Sequence, residues 1–284
     1  MKEVVVLSGK GGTGKTSLVG CFAALASSKV LADCDVDAAD LHLLLKPSIK
    51  EEREFWSGQV ASIDREMCTE CGLCETVCRF DAIKDFRINP LSCEGCRFCF
   101  EVCPEHCIAM QDRMAGHWFV SDTRYGPLVH ARLGIAQENS GKLVTVVRNY
   151  ARVIAKRENL AYVIIDGPPG IGCPVISSLS GVNLALLVTE PTLSGLHDLE
   201  RIFGLCAHFG VPALVCINKY DLNEENTHRI EDYCLCQGLP IPAKIPFDNV
   251  VTEAIVKGIP VVEYSQGRLA QQVEDLWRRI SGNH

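Results

Sequence analysis

Two groups of residues in this 284-residue chain have types and spacings suited to chemistry. The first is Gly9-Lys10-Gly11-Gly12-Thr13-Gly14-Lys15-Thr16-Ser17, which fits the pattern G-x-x-x-x-G-K-[ST]. Glycines at these places let backbone N–H groups turn inward around phosphate, and a helix opening at Lys15 adds its positive N-terminal end. Lys15 is placed to reach β- and γ-phosphates, and the Thr16 hydroxyl to bind Mg²⁺. The second group is cysteine. Of 16 cysteines, 9 fall between Cys68 and Cys107. Cys68-x₂-Cys71-x₂-Cys74-x₃-Cys78 recurs 25 residues later as Cys93-x₂-Cys96-x₂-Cys99-x₃-Cys103-Pro104. Zinc sites use paired Cys-x₂₋₄-Cys units across longer gaps. Two triplets, each with a trailing thiol, suit iron–sulfur ligation better.

These residues need a scaffold, and the rest of the chain supplies one. Apolar runs at Glu3–Leu7, Val30–Asp33, Tyr162–Asp166, Leu184–Thr189, Ala213–Asn218 and Ala243–Pro246 predict strands. Helix-length segments at Lys15–Ala26, Lys142–Lys156, Leu193–Phe209, Glu224–Gln237, Val250–Lys257 and Gln266–Ile280 alternate with them. This alternation predicts an α/β fold with a mostly parallel sheet covered by helices on both faces. Ligands bind such sheets at the carboxyl ends of the strands, where the glycine and aspartate clusters lie. The cysteine window interrupts the alternation. It predicts residues 1–58 and 114–284 as one domain and 59–113 as an insert. Residues 117–134 show no clear period beyond a strand near Trp118–Val120.

Composition narrows the class. With 47% hydrophobic and 22% charged residues the chain is globular, and its net charge of −7 argues against non-specific nucleic-acid binding. No targeting segment or membrane-length apolar run is visible, so a cytoplasmic location is expected, where clustered thiols bind metal or react. The segment Leu269–Ile280 carries Glu274-Asp275 beside Arg278-Arg279 and lacks the basic amphipathic face of a membrane anchor.

Lys10, just after the first glycine, is not required by the general phosphate-loop pattern. The string Lys-Gly-Gly-x-Gly-Lys-Thr resembles the deviant Walker A loop of the MinD/ParA/Mrp P-loop ATPases, a group that includes the nitrogenase iron protein. The resemblance implies ATP, Mg²⁺ and an ATP-dependent face-to-face dimer, a homodimer or a heterodimer with a sister ATPase. In it Lys10 reaches across to the partner's nucleotide, as an arginine finger does. Asp33-Cys34-Asp35-Val36-Asp37 resembles that family's switch I, with Asp35 near the attacking water. Asp166-Gly167-Pro168-Pro169-Gly170 resembles its switch II, with Asp166 on Mg²⁺ through water and Gly170 sensing the γ-phosphate. Asn218-Lys219-Tyr220-Asp221 matches the guanine-reading Asn-Lys-x-Asp of GTPases, yet the family places an asparagine here against adenine. Pro246 and Asp248 resemble the second purine-flanking loop, and ATP is the favoured nucleotide.

The cysteine repeat resembles bacterial two-cluster ferredoxins, where the fourth cysteine of each run ligates the other run's cluster. That implies one [4Fe–4S] cluster on Cys68, Cys71, Cys74 and Cys103, and another on Cys93, Cys96, Cys99 and Cys78. Arg79 stands where the second run has Pro104, and Cys107 aligns with Ala82, as a small packing residue. The chain as a whole thus resembles MinD-superfamily ATPases carrying an inserted ferredoxin-like α+β domain. Three functions follow: ATP hydrolysis coupled to electron transfer, Mrp-like delivery of a metal cluster, or MinD-like nucleotide-switched binding with structural clusters. The first two call for a redox or cluster-acceptor protein as partner.

Overall fold

The computed structural model describes residues 1–134 and 140–282. The strands are β1 (Lys2–Ser8), β2 (Lys29–Asp33), β3 (Ser48–Ile63), β4 (Ile83–Lys84), β5 (Arg87–Ile88), β6 (Ile108–Thr123), β7 (Gly126–Leu133), β8 (Tyr162–Pro169), β9 (Leu184–Thr189), β10 (Ala213–Asn218) and β11 (Ala243–Ile245). The helices are α1 (Lys15–Leu25), α2 (Leu41–Leu45), α3 (Leu73–Val77), α4 (Phe98–Val102), α5 (Ser140–Arg157) and α6 (Cys173–Leu179). They continue as α7 (Leu193–His208), α8 (Glu224–Cys236), α9 (Asn249–Lys257), α10 (Val261–Tyr264) and α11 (Arg268–Ser281). All six expected strands and all six expected helices are present, with ends moved by three residues or fewer.

The chain divides into two compact units. The larger comprises Met1–Glu52, Trp118–Arg132 and Ser140–His284. Its strands follow the order β11-β10-β9-β1-β8-β2-β7, with β6 and β3 beyond. Neighbours from β11 to β7 run parallel. The two-residue connection Arg124-Tyr125 turns β6 back into β7 as an antiparallel hairpin. Strand side chains alternate between two covered faces. Val4 and Val6 join a core with Phe22, Leu44, Val273 and Trp277, so α1, α2, α10 and α11 cover that face. Val5 and Leu7 point the other way, where α5, α6 and α7 pack on β1, β2, β8 and β9. The apolar stripe of α11 (Leu269, Val273, Leu276, Ile280) is spent on the core. Among the described residues no helix is long and apolar enough to cross a membrane.

The smaller unit holds Arg53–His117 and a segment beginning at Leu133. Its limits fall outside the expected 59 and 113 because β3 and β6 are single strands of 16 residues, each continuing through a division. Inside it α3, the antiparallel pair β4–β5 and α4 follow one another. The sequence repeat is also a backbone repeat. Left-handed residues recur 25 positions apart: Glu70 and Gly95, Gly72 and Arg97, Asp81 and His106. Gly95 has a further constraint, since a Cβ there would lie 2.3 Å from the Gln59 carbonyl oxygen.

Candidate functional site

The phosphate loop joins β1 to α1 at the carboxyl edge of the parallel sheet. Gly12 and Gly14 take φ of +80° and +88°, a region that favours glycine. A Cβ on Gly14 would also come within 2.4 Å of Asn218 Nδ2, whereas Gly11 and Gly12 face open space. Gly9 has another role. A Cβ there would meet Asp198 Cβ at 2.1 Å, so this glycine lets α7 approach the loop and does not line the cavity.

Behind the loop lies a buried charge cluster. Lys15, 6% exposed, donates from Nζ to Asp166 Oδ1 at 2.6 Å and stands 3.9 Å from Asp35 Oδ2. Burial alone would lower the Lys15 pKa, but Asp166, Asp35 and Asp33 outweigh it and hold it above the ordinary value. Asp33 was not singled out from the sequence. It is fully buried and accepts from the Asp35 and Leu41 N–H groups, which shapes the loop after β2. Burial and the neighbouring Asp166 push its carboxyl well above the usual range.

Asp166 Oδ2 is buried and has no hydrogen-bond partner, and neither has Thr13 Oγ1. An orphaned carboxylate oxygen and an orphaned hydroxyl are costly and point to a missing ligand, the hydroxyl being free to donate. A hydrated Mg²⁺ suits the first, beside the Thr16 hydroxyl, and a phosphate oxygen suits the second. Thr13 lines an open cleft of about 1190 Å³, a volume that includes solvent at its mouth. Gly11–Ser17, Asp35 and Pro169 line one part; Asn218, Lys219, Pro246, Phe247, Asp248 and Ile255 line another.

The purine-side residues are largely engaged with one another. Asn218 donates from Nδ2 to the Thr13 carbonyl at 2.8 Å, tying β10 to the phosphate loop. Asp221 Oδ1 accepts from Phe247 N–H at 2.7 Å, and Asp248 caps α9 by accepting from Val250 N–H at 2.9 Å. Asp221, the residue that would read guanine, is thus committed to holding two loops together. Lys219 reaches Gly12 O at 3.2 Å and Glu190 Oε1 at 2.5 Å.

Lys10 and Gly170, like Gly9 and Asp166, stand outside the cavity lining. Lys10 turns back onto its own chain, 3.3 Å from Glu190 Oε2 and 3.4 Å from Thr192 Oγ1. Gly170, at φ +90°, donates its N–H to the Ser8 carbonyl at 3.0 Å, so contact with a γ-phosphate requires that bond to open. Glu190 was not anticipated. The available signal was its place, one residue past the carboxyl end of β9.

Charge titration in this cluster has a measurable consequence. Burial, with Asp166 adding and Lys15 opposing, pushes the Asp35 carboxyl up from 3.8 to about 6. The folded chain then holds this proton more tightly than the unfolded chain. Its contribution to stability is present below pH 4 and lost as pH rises through about 6. In chelator, without nucleotide, D35N should therefore gain roughly 1–3 kcal/mol relative to wild type between pH 4 and 7. Paired denaturant titrations across that range test it, and a constant difference between the proteins would contradict it.

In the smaller unit the cysteines surround two cavities. Cys78, Cys93, Cys96 and Cys99 line one of about 370 Å³. Cys68, Cys71, Cys74 and Cys103, with Cys107, line another of about 320 Å³. Each cavity thus takes three thiols from one run and the fourth from the other. Among the described residues no group of three or more His, Cys, Asp or Glu is placed to hold a single metal ion. Each thiolate of a [4Fe–4S] cluster has its own iron, so its ligands ring a cavity instead of converging on one point. Of the remaining thiols, Cys173 at the start of α6 and Cys236 at the end of α8 are exposed, whereas Cys21, Cys34, Cys206, Cys216 and Cys234 are buried core residues.

The chain matches the CbiA family, described as the CobQ/CobB/MinD/ParA nucleotide binding domain, over residues 4–261. It belongs to that family. It is 34% identical over 281 residues to the uncharacterized protein MJ0578 of Methanocaldococcus jannaschii, covering 98% of this chain and 96% of that one. That span includes the cysteine-rich unit. The fold resembles the cell division ATPase MinD of Pyrococcus furiosus, with a TM-score of 0.61, 19% identity and coverage of 100% and 99%. It also resembles MinD of Pyrococcus horikoshii OT3, solved with Mg-ADP, with a TM-score of 0.59, 21% identity and coverage of 98% and 95%. Family membership makes the cavity above Lys15 a nucleotide site. In this CobQ/CobB/MinD/ParA-type domain the glycine loop, Asp35 and Asp166 occupy the ends of β1, β2 and β8, which are adjacent in the sheet.

Proposed function

We propose that this protein is an ATP-hydrolysing, nucleotide-switched binding protein of the MinD/ParA kind. The observation that carries the reading is the buried Lys15–Asp166 pair with Asp166 Oδ2 unpartnered beneath an open glycine loop. Lys15 exchanges Asp166 for phosphate oxygens, while Asp166 and the Thr16 hydroxyl hold Mg²⁺, the aspartate through water. Asp35 orients the attacking water. ATP is favoured over GTP because the loop carrying Lys10 resembles that of the ATP-using MinD/ParA group. The MinD of Aquifex aeolicus has been solved in complex with MinC, and a protein partner is proposed here too.

Hydrolysis is assigned to a face-to-face dimer, a homodimer or a heterodimer with a sister chain, in which Lys10 leaves Glu190 for the partner's phosphates. K10A should retain nucleotide binding and lose at least 100-fold in turnover, within the range of a cation supplied in trans. Fluorescent-nucleotide titration and steady-state phosphate release measure both, and unchanged turnover would remove the dimer mechanism.

A second proposal concerns the smaller unit, and the two cysteine-lined cavities favour it. In it Cys68, Cys71, Cys74 and Cys103 hold one [4Fe–4S] cluster, and Cys93, Cys96, Cys99 and Cys78 hold the other. The clusters supply one-electron chemistry when bound. Similarity to MinD and ParA supports the nucleotide switch better than ATP-driven electron transfer or cluster delivery. The redox unit is accordingly taken as something the switch presents to a partner. Iron and acid-labile sulfide contents of eight each per chain after anaerobic reconstitution would support this; two zinc ions per chain would refute it.

A further inference from the structure

The two cysteine-lined cavities differ by one thiol. Cys107 lies beside Cys103, with the two sulfurs 3.5 Å apart, inside the cavity lined by Cys68, Cys71, Cys74 and Cys103. His106 at φ +50° and its N–H bond to the Cys103 carbonyl fold the chain back so that the two side chains meet. The Cys107 carbonyl accepts from Asp64 N–H at 2.8 Å, which fixes the residue from the other side. Cys107 is 5% exposed and packs among Ile63, Phe86 and Ile108, away from solvent. The 25-residue repeat places Ala82 at the matching position of the other half. Ala82 is 2% exposed, lines the other cavity and has a methyl side chain with no donor.

We propose that the Cys107 thiol donates a hydrogen bond to the Cys103 sulfur and so holds the Cys68/Cys71/Cys74/Cys103 cluster at a higher reduction potential than its neighbour. The proposal rests on the two-cluster reading above. Reduction adds negative charge to the cluster and its sulfurs, and a donor aimed at one of them stabilises the reduced form more than the oxidised form. Cys107 is a positioning residue here and not a ligand. The pair of clusters thereby acquires a direction, with the electron resting on the half that contains Cys107.

The test uses the full-length chain, reconstituted anaerobically with iron and sulfide and titrated potentiometrically under EPR. Wild type should show eight irons and two midpoints. C107A should keep eight irons and lower one midpoint by about tenfold in the reduction equilibrium, ~59 mV for one electron, leaving the other in place. C107S retains a donor and should recover most of that shift. A82C, which installs the thiol in the other half, should raise the second midpoint. The proposal falls if C107A leaves both midpoints unchanged. Should C107A fail to hold eight irons, it falls if A82C does not raise the second midpoint. Fewer than eight irons in wild type would instead remove the cluster reading, before any variant is compared.

Discussion

Replacing Lys15 with alanine should lower nucleotide affinity at least 100-fold and destabilise the empty protein by about 3–5 kcal/mol at pH 8. The two losses have one origin. Lys15 is the cation amid Asp33, Asp35 and Asp166, which are 0%, 14% and 1% exposed. Burying carboxylates without a counter-charge is far costlier than the net worth of the pair that is broken. Without the ammonium these acids must protonate or the region must open. The deficit should therefore shrink at pH 5, where Asp33 and Asp35, both already raised, take up protons readily. Denaturant titrations of K15A and wild type at pH 5 and pH 8, with nucleotide binding followed separately, test both parts. Equal stability of the two proteins at pH 8 would show that the carboxylates do not depend on Lys15.

Removing iron should unfold the smaller unit while leaving the nucleotide domain folded. The apolar cluster around the cysteines of this unit contains Ala61, Cys74, Ala82, Ile83, Cys93, Cys99, Cys103, Cys107 and Ile108, so five of the nine buried residues in that cluster are cysteines. Units of roughly 60 residues are marginal even with an ordinary apolar core, and small ones lean on metals or cross-links. Here the exposed apolar residues include Met67, Leu73, Phe80, Leu91 and Phe98, which contribute little to burial. Metal binding then becomes folding free energy. After chelation, trypsin should cleave first within residues 65–113, and hydrogen exchange there should rise by orders of magnitude. Amides of β1, β8 and β9 should keep their protection, and nucleotide affinity should change less than twofold. Equal protection of the smaller unit with and without iron would mean that its fold does not depend on metal.

Much of the nucleotide domain was legible because its strands are continuous apolar runs closed by glycine or aspartate. β9 and β10 have the ends expected from the pattern. β3 was missed for the opposite reason. Its residues Ser48–Glu54 are all exposed and rich in Lys and Glu, and an edge strand with such charges shows no hydrophobic alternation. The hairpin β6–β7 was legible only near Trp118–Val120, although Leu128, Val129 and Ala131 of β7 are also buried. Pairing there depends on backbone hydrogen bonds, which residue types do not report.

The sequence by itself determined the chemistry available: a glycine loop ending in Lys15-Thr16, carboxylates after two strands, and two cysteine runs 25 residues apart. Local spacing suffices for these because a turn, a helix start or a three-thiol loop is built from neighbouring residues. Tertiary structure decided which groups meet. It placed Asp33 beside the Lys15–Asp166 pair and turned Lys10 onto Glu190. It also committed Asn218 and Asp221 to loop carbonyls and amides, and set Cys107 against Cys103. Apart from the four-residue step from Cys103 to Cys107, these contacts join residues far apart in the chain or on separate loops. Their distances follow from sheet order and packing, which no local pattern of residues encodes.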